Sequence, residues 1–386
     1  MRDVHLPKHD GTWKRHRVST VQLWQKPSKP FRLRTAFAAA HVIADPFGNN
    51  TPGSHAAVEW DQTLAFRQHL FSYGFGVAEA MDTAQRGMGL DWKACQELIS
   101  RSAREAKAAN ARIASGVGTD HLDSTISSLE EIKSGYIEQL EFVEGAGSQA
   151  IIMASRHMAR VASNPDDYFS IYSDLIRQAQ EPVILHWLGT AFDPALEGYW
   201  GETDVTKATN VFLDIIKSNP SKIEGVKVSL LDANHEKALR KSLPQGVRLY
   251  TGDDFNYPEL ILGDSEFHSD ALLGILAAIA PIASTALQSL DDGDPALYSR
   301  YMESTLELSR LIFEKPTYYY KVGISFISWL SGHQSNFAMV AGLHSGRSAI
   351  HLAEVYRLAD EICLFPEPEL AADRIEIFLK NHGLFK

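Results

Sequence analysis

The segment Ile-Glu-Gly-Val-Lys-Val-Ser-Leu-Leu-Asp, residues 223–232, sets a lysine inside an apolar strand pattern. Strand side chains alternate between faces. Val226, Val228 and Leu230 therefore share one face, and Gly225, Lys227 and Ser229 the other. An unpaired buried ammonium is costly, and the usual response is a lowered pKa. A lysine partly neutral at pH 7 is a nucleophile. It adds to a ketone or aldehyde and forms a Schiff base, an electron sink for breaking or making C–C bonds. The competing reading is a lysine held by one of the chain's many carboxylates in a structural role.

Other residues with chemical potential recur at the ends of short apolar runs. In chain order they are His41 and Asp45; Glu79, Asp82 and Thr83; Thr119, Asp120 and His121; Ser155, Arg156 and His157; His186 and Trp187; Lys227 and Ser229; Asp253 and Asp254; His268 and Asp270. His186 is expected to carry protons for Lys227, because imidazole titrates near neutrality. Glu79, Asp82, Thr83, Arg156, His157, Asp253 and Asp254 are expected to bind substrate. Arg156 suits a carboxylate or phosphate, or an ion pair with Asp82 or Glu79. A rival reading takes His41, Glu79, His157, His186, Asp253 and His268 as nitrogen and oxygen ligands of a divalent ion that would polarise a carbonyl. No HExxH or other fixed ligand spacing supports it. The principal expectation is therefore an enzyme without a cofactor, the alternative a metal-dependent aldolase or isomerase, and the third reading a non-catalytic ligand-binding barrel.

These residues need elements to gather them. From residue 35 the sequence alternates between short apolar runs and helical patterns. Strands are predicted at 35–45, 76–83, 111–120, 148–155, 182–189, 223–232, 246–254 and about 269–276. Helices are predicted at 60–75, 91–109, 125–147, 166–180, 205–219 and 233–243, the second opening on Asp91, a good N-cap residue. Eight strands alternating with helices predict a parallel (β/α)8 barrel over residues 35–295, with its chemistry at the strand C-termini. Residues 1–34 form an N-terminal extension, in which TWKRHRVSTVQLW alternates enough to be a hairpin, and 296–386 a mostly helical C-terminal segment.

The 386 residues carry a net charge of −11, with 45% hydrophobic and 22% charged side chains. This composition is that of a globular protein and disfavours nucleic acid or an anionic membrane as partner. The apolar run at 271–287 contains Pro281 and is read as a strand running into a helix, not a membrane span. Two distant cysteines, Cys95 and Cys363, suit a reducing cytoplasm. The aromatic run Tyr318-Tyr319-Tyr320 suggests an interface, so a homo-oligomer, dimer or tetramer, is expected.

The order of segments adds a resemblance. Asp45-Pro46-Phe47 resembles the Thr-Pro-Phe turn that ends the first strand of the dihydrodipicolinate synthase and N-acetylneuraminate lyase family. Ala114-Ser115-Gly116-Val117-Gly118 is similar to that family's Ala-Gly-Val-Gly strand, and Gly147-Ser148-Gln149-Ala150 to its Gly-Ala-Asp-Ala junction. Pro182-Val183-Ile184-Leu185-His186-Trp187 is similar to Pro-Val-Ile-Leu-Tyr-Asn, Ile223–Ser229 to the lysine strand Ile-Val-Gly-Ile-Lys-Asp-Ser, and Gly252-Asp253-Asp254 to Gly-Asp-Asp. The resemblance covers roughly residues 35–295. It implies a (β/α)8 Schiff-base lyase of small carbonyl compounds, with Lys227 as the imine lysine. It also marks departures. Asp82-Thr83-Ala84-Gln85-Arg86 stands where the family binds a 2-oxo acid with Gly-Thr-Thr-Gly-Glu, His186 stands where it has a proton-relaying tyrosine, and Arg156-His157 replaces an aromatic pair.

Overall fold

Residues Ala36–Ala39 begin a sheet that closes on itself. The computed structural model describes residues 2–81 and 85–386. An antiparallel hairpin comes first, β1 (Asp3–Pro7) with β2 (Trp13–Arg17). Eight parallel strands follow: β3 (Ala36–Ala39), β4 (Gly76–Glu79), β5 (Ile113–Val117), β6 (Gln149–Ile152), β7 (Val183–Leu188), β8 (Ile223–Ser229), β9 (Arg248–Thr251) and β10 (Asp270–Leu273). Each pairs with the next, and β10 pairs with β3 to close the barrel. The expected (β/α)8 architecture is the one formed. The strands are shorter than the sequence pattern indicated, since the chain turns away from the ladder as soon as it leaves the barrel rim.

Strand parity sorts the side chains into two cores. Val226, Val228, Leu185 and Trp187 pack outward against the helices. Phe37, Ala78, Ile151, Ile184, Tyr250 and Leu272 form a separate apolar cluster inside the barrel. The predicted outer helices appear as Trp60–Ser72, Trp92–Ala108, Leu129–Gly145, Pro165–Gln178, Val205–Ser218 and Ala233–Ser242. Asp91 caps its helix as expected, accepting from the Ala94 amide at 2.9 Å. A short helix, Tyr257–Leu262, connects β9 to β10. The 271–287 run is β10 followed by the helix Leu276–Asp291, and among the described residues no helix is long and apolar enough to cross a membrane.

The two flanking segments meet. Asp360, in the helix Ala349–Glu361, accepts from His16 Nε2 at 2.8 Å and from the Ser19 amide at 2.9 Å. Arg2 pairs with Glu376 at 2.8 Å. The hairpin differs from the expectation. Residues 3–7 supply its first strand and residues 18–24 none, because after Val18 donates to the Arg2 carbonyl the chain leaves the ladder and Ser19 bonds to Asp360. The helix Tyr320–Leu330 lies across the barrel mouth. Its Tyr320 stacks on Phe313, with centroids 4.4 Å apart, and both rings press on Gly274 just past β10. A Cβ at residue 274 would come within 2.6 Å of the Tyr320 ring, so this roof needs glycine there.

Candidate active site

Lys227 and His186 are Cα partners in adjacent strands β8 and β7. Both alternate with residues of the outer core, so both point into the barrel, His186 fully buried and Lys227 nearly so. His186 Nε2 lies 3.2 Å from Ser229 Oγ, two residues beyond the lysine on the same face. The space is made by Gly252, just past β9. A side chain at 252 would strike Ser229 Oγ and approach Lys227 Cε to 3.0 Å. Tyr250 pairs with Lys227 on the other side but sends its hydroxyl down to Glu224, at 2.7 Å, and so takes no part in the mouth.

Asp254 follows in the same loop. Its Oδ1 accepts from the Ile275 amide at 2.9 Å. Burial pushes its carboxyl up to about 7, against the opposing pull of that hydrogen bond and of the Lys227 and Lys321 charges. Asp253 is occupied differently. It caps the turn before Tyr257–Leu262, accepting from the Phe255 and Asn256 amides at 2.9 and 3.1 Å.

The strand-end residues do not include Lys321, which the roof helix carries into the same mouth. This lysine is buried and donates to the Ala39 carbonyl at the end of β3. Burial lowers its pKa to about 7. The charges of Arg67 and Lys227 push the same way, and those of Asp254 and Glu79 oppose. The signal was present in the sequence. Tyr-Lys-Val-Gly-Ile-Ser-Phe-Ile-Ser-Trp-Leu (320–330) sets one charge in an otherwise uncharged, mostly apolar helix.

The remaining candidates divide. His157 belongs to the rim, its Nδ1 3.0 Å from Thr119 Oγ1 and its pKa lowered by burial. Arg156 is largely exposed and pairs with Asp193 at 2.6 Å, not with Glu79. Both line a cavity of about 680 Å³, a size suited to a small polar molecule. Its wall also includes Thr119, Ser155 and Met153, the last belonging to the barrel's interior cluster as well. Arg86 is clamped at one edge of this cavity by Asp120 at 2.7 Å and the Gly116 carbonyl at 2.7 Å.

Three candidates stand elsewhere. Glu79 faces outward and forms a fully buried bidentate pair with Arg67, both contacts 2.8 Å. Its strand parity, opposite to inward-facing Ala78, takes it away from substrate. His41 packs on Phe66 and meets Gln334 at 2.7 Å in the outer layer, where burial lowers its pKa to about 3. His268 precedes β10 and so belongs to the opposite end of the barrel, beside Asp270, which pairs with Arg248 at 2.8 Å. The six residues of the metal reading therefore do not converge. Among the described residues no group of three or more His, Cys, Asp or Glu is placed to hold a metal ion. Asp82 and Thr83 lie outside the described residues.

With this geometry in hand, the family model for a protein of unknown function, DUF993, matches residues 4–384. The chain belongs to the DUF993 family. No curated protein matches this DUF993 chain by sequence. Solved structures do match it by fold. A dihydrodipicolinate synthase from Bacteroides thetaiotaomicron is 14% identical with a TM-score of 0.65, over 86% of this chain and 100% of the other. A prophage protein of the dihydrodipicolinic acid synthase family from E. coli K12, in complex with pyruvate, is 15% identical with a TM-score of 0.63, over 91% and 99%. A chloride-inhibited dihydrodipicolinate synthase from Acinetobacter baumannii, also complexed with pyruvate, is 14% identical with a TM-score of 0.60, over 92% and 100%. The DUF993 chain thus shares the barrel of these enzymes, in keeping with the resemblance in its sequence.

Proposed function

We propose that this protein is a Schiff-base lyase or aldolase acting on a small carbonyl compound through Lys227. The observation that supports it is the lateral pairing of Lys227 with His186, both turned into the barrel, with Ser229 Oγ 3.2 Å from the imidazole. In the proposed reaction the Lys227 amine adds to the carbonyl carbon. The carbinolamine hydroxyl then leaves as water, with His186 delivering the proton. A base removes the proton of the substrate's β-hydroxyl, and the C–C bond breaks. Its electron pair flows to the imine nitrogen, leaving an enamine on Lys227 and releasing an aldehyde. Protonation at carbon and addition of water free the second product. Asp254, with a carboxyl titrating near neutrality, is suited to the base step. Pyruvate bound to two of the similar structures makes 2-oxo acids the first compounds to test. Arg156 and His157 on the cavity wall favour substrates that add hydroxyl groups or an anionic tail.

The test is reductive trapping. Protein incubated with pyruvate, then with hydroxylated keto acids and keto sugars, is reduced with borohydride and weighed intact. The expected result is one adduct per chain, mapped to Lys227 and absent in Lys227→Arg. An adduct that persists in that variant, or activity that survives it, overturns the proposal.

A further inference from the structure

A second cavity lies among the outer helices, away from the barrel mouth. It holds about 250 Å³. The helix Trp60–Ser72 brings His69 to it, and the roof helix brings Ser328, with His333 just beyond. The N-terminal extension covers it with Trp24 and Lys26. That cover is fastened, because Trp24 Nε1 donates to the Cys363 carbonyl at 3.0 Å. The wall shares no residue with the cavity at the mouth. We infer that this cavity binds a small hydroxylated aromatic acid, with its carboxylate at Lys26, its ring against His69 and His333, and its hydroxyl at Ser328. The inference does not depend on the imine reading of Lys227.

Each part of that ligand answers a feature of the wall. The ring answers the aromatic lining. The His69 and His333 centroids are 4.0 Å apart, and His69 also lies 5.8 Å from Phe66 and 5.1 Å from Tyr73. Ring contacts hold both imidazoles, and neither has a hydrogen-bond partner among the described residues. Aromatic rings pack on one another face to edge or offset. An apolar cavity of about 150 Å³ is enough for benzene, so this one has room for a substituted ring. The carboxylate answers the charge. Burial lowers the pKa of His69 and His333 to about 3 and 4, so both are neutral. Lys26 is then the one charged side chain among the described residues of the wall, in a chain whose net charge is −11. A cation would meet Lys26 and no carboxylate, whereas an acid gains an ion pair. The hydroxyl answers two polar groups left over. Ser328 is buried, and its Oγ has no hydrogen-bond partner among the described residues, a costly state that a ligand group can relieve. Pro281, within the helix Leu276–Asp291, has no N–H to give the Ala277 carbonyl one turn earlier, and both residues line the cavity. A ligand hydroxyl both accepts and donates, and so suits either group.

The experiment needs no assay of activity. Protein carrying histidine labelled with carbon-13 at Cε1 is titrated by NMR with 4-hydroxybenzoate and with its cationic counterpart, 4-hydroxybenzylamine. Signals are assigned through His69→Gln, His333→Gln and His157→Gln. The acid should move the His69 and His333 signals together, leave His157 at the mouth unmoved, and bind more tightly than the amine. Lys26 is exposed, so Lys26→Glu leaves the core intact. It should weaken the acid about tenfold and reverse the preference. Ser328→Ala should weaken it about 2–10-fold. Benzoate, which lacks the hydroxyl, should bind the wild-type protein more weakly by the same factor, a comparison that needs no variant to fold. No shift with millimolar acid overturns the inference, and so do shifts confined to His157, which place the acid in the mouth. Equal affinity for acid and amine, or indifference to Lys26→Glu, overturns the assigned charge. Benzoate binding as tightly as 4-hydroxybenzoate overturns the contact with Ser328.

Discussion

Single residues carry the strongest predictions. Lys227→Arg keeps a charge but cannot form an imine, so activity with any substrate found should drop by about 10³-fold or more, with little change in Tm. Lys227→Ala should lose activity equally. If Lys227 were a structural ion-pair partner, Arg would rescue function and Ala would destabilise the fold. His186→Phe should slow turnover by about 10²-fold while the borohydride adduct still forms, measured as rate against trapped mass. Gly252→Ala makes a different test. The added methyl collides with Ser229 Oγ and crowds Lys227 Cε, so it should cost about 1–3 kcal/mol in denaturant unfolding and disable trapping. Lys227 was legible from sequence because a charge in an apolar strand is an anomaly that demands a reason. Lys321 is the same anomaly in a helix, but nothing local says which surface a C-terminal helix will cover. Glu79 was misread although its parity was available, with inward Ala78 between two outward residues. His268 and Asp270 were placed at the wrong end because the apolar run from Ala271 hides where the strand stops, and only Gly274 marks it.

Elements explain the second set of effects. The helix Ala233–Ser242 points Glu236 at β9 and the start of β10, where Thr251 and Ser269 donate to it at 3.0 and 2.7 Å. Burial raises its pKa to about 8, with those hydrogen bonds and Arg240 opposing. A raised folded-state pKa means the contribution is complete below the unfolded value of 4.5. It is lost progressively as pH rises through about 8. Wild-type Tm should therefore fall by several degrees between about pH 6 and pH 9, and Glu236→Gln should lack that component of the decline, as differential scanning fluorimetry would reveal. An equal decline in both would dismiss the buried acid as its source. The alternation was readable because the six outer helices from Trp60–Ser72 to Ala233–Ser242 each open on a capping side chain, as at Asp91 and Asp232. The tyrosine run was not. Aromatic residues suggest an interface as readily as a core, and here Tyr320 is buried against Phe313 and Gly274 within the chain, while Tyr318 lines the mouth cavity.

At the scale of the whole molecule, the barrel and the C-terminal segment meet along a seam of neutral histidines. His41, His69 and His333 have pKa values lowered to about 3, 3 and 4, chiefly by burial, and the His69 and His333 rings are 4.0 Å apart. Depressed values give stability that is complete above the unfolded pKa of 6.5 and is lost as pH falls. Thermal unfolding should weaken steeply below about pH 6, and His333→Gln should flatten that slope by removing one proton uptake. A slope identical to wild type would place the acid sensitivity elsewhere. The roof across the mouth also has a consequence in time. A ribosome finishes β10 about fifty residues before the roof helix, an interval of roughly 2–10 s at about 5–20 residues per second. During synthesis the nascent barrel can close while its lysine remains uncovered and Lys321 has not yet arrived. Newly made chains would thus open the Lys227 face of the barrel to solvent until the roof helix arrives to screen it.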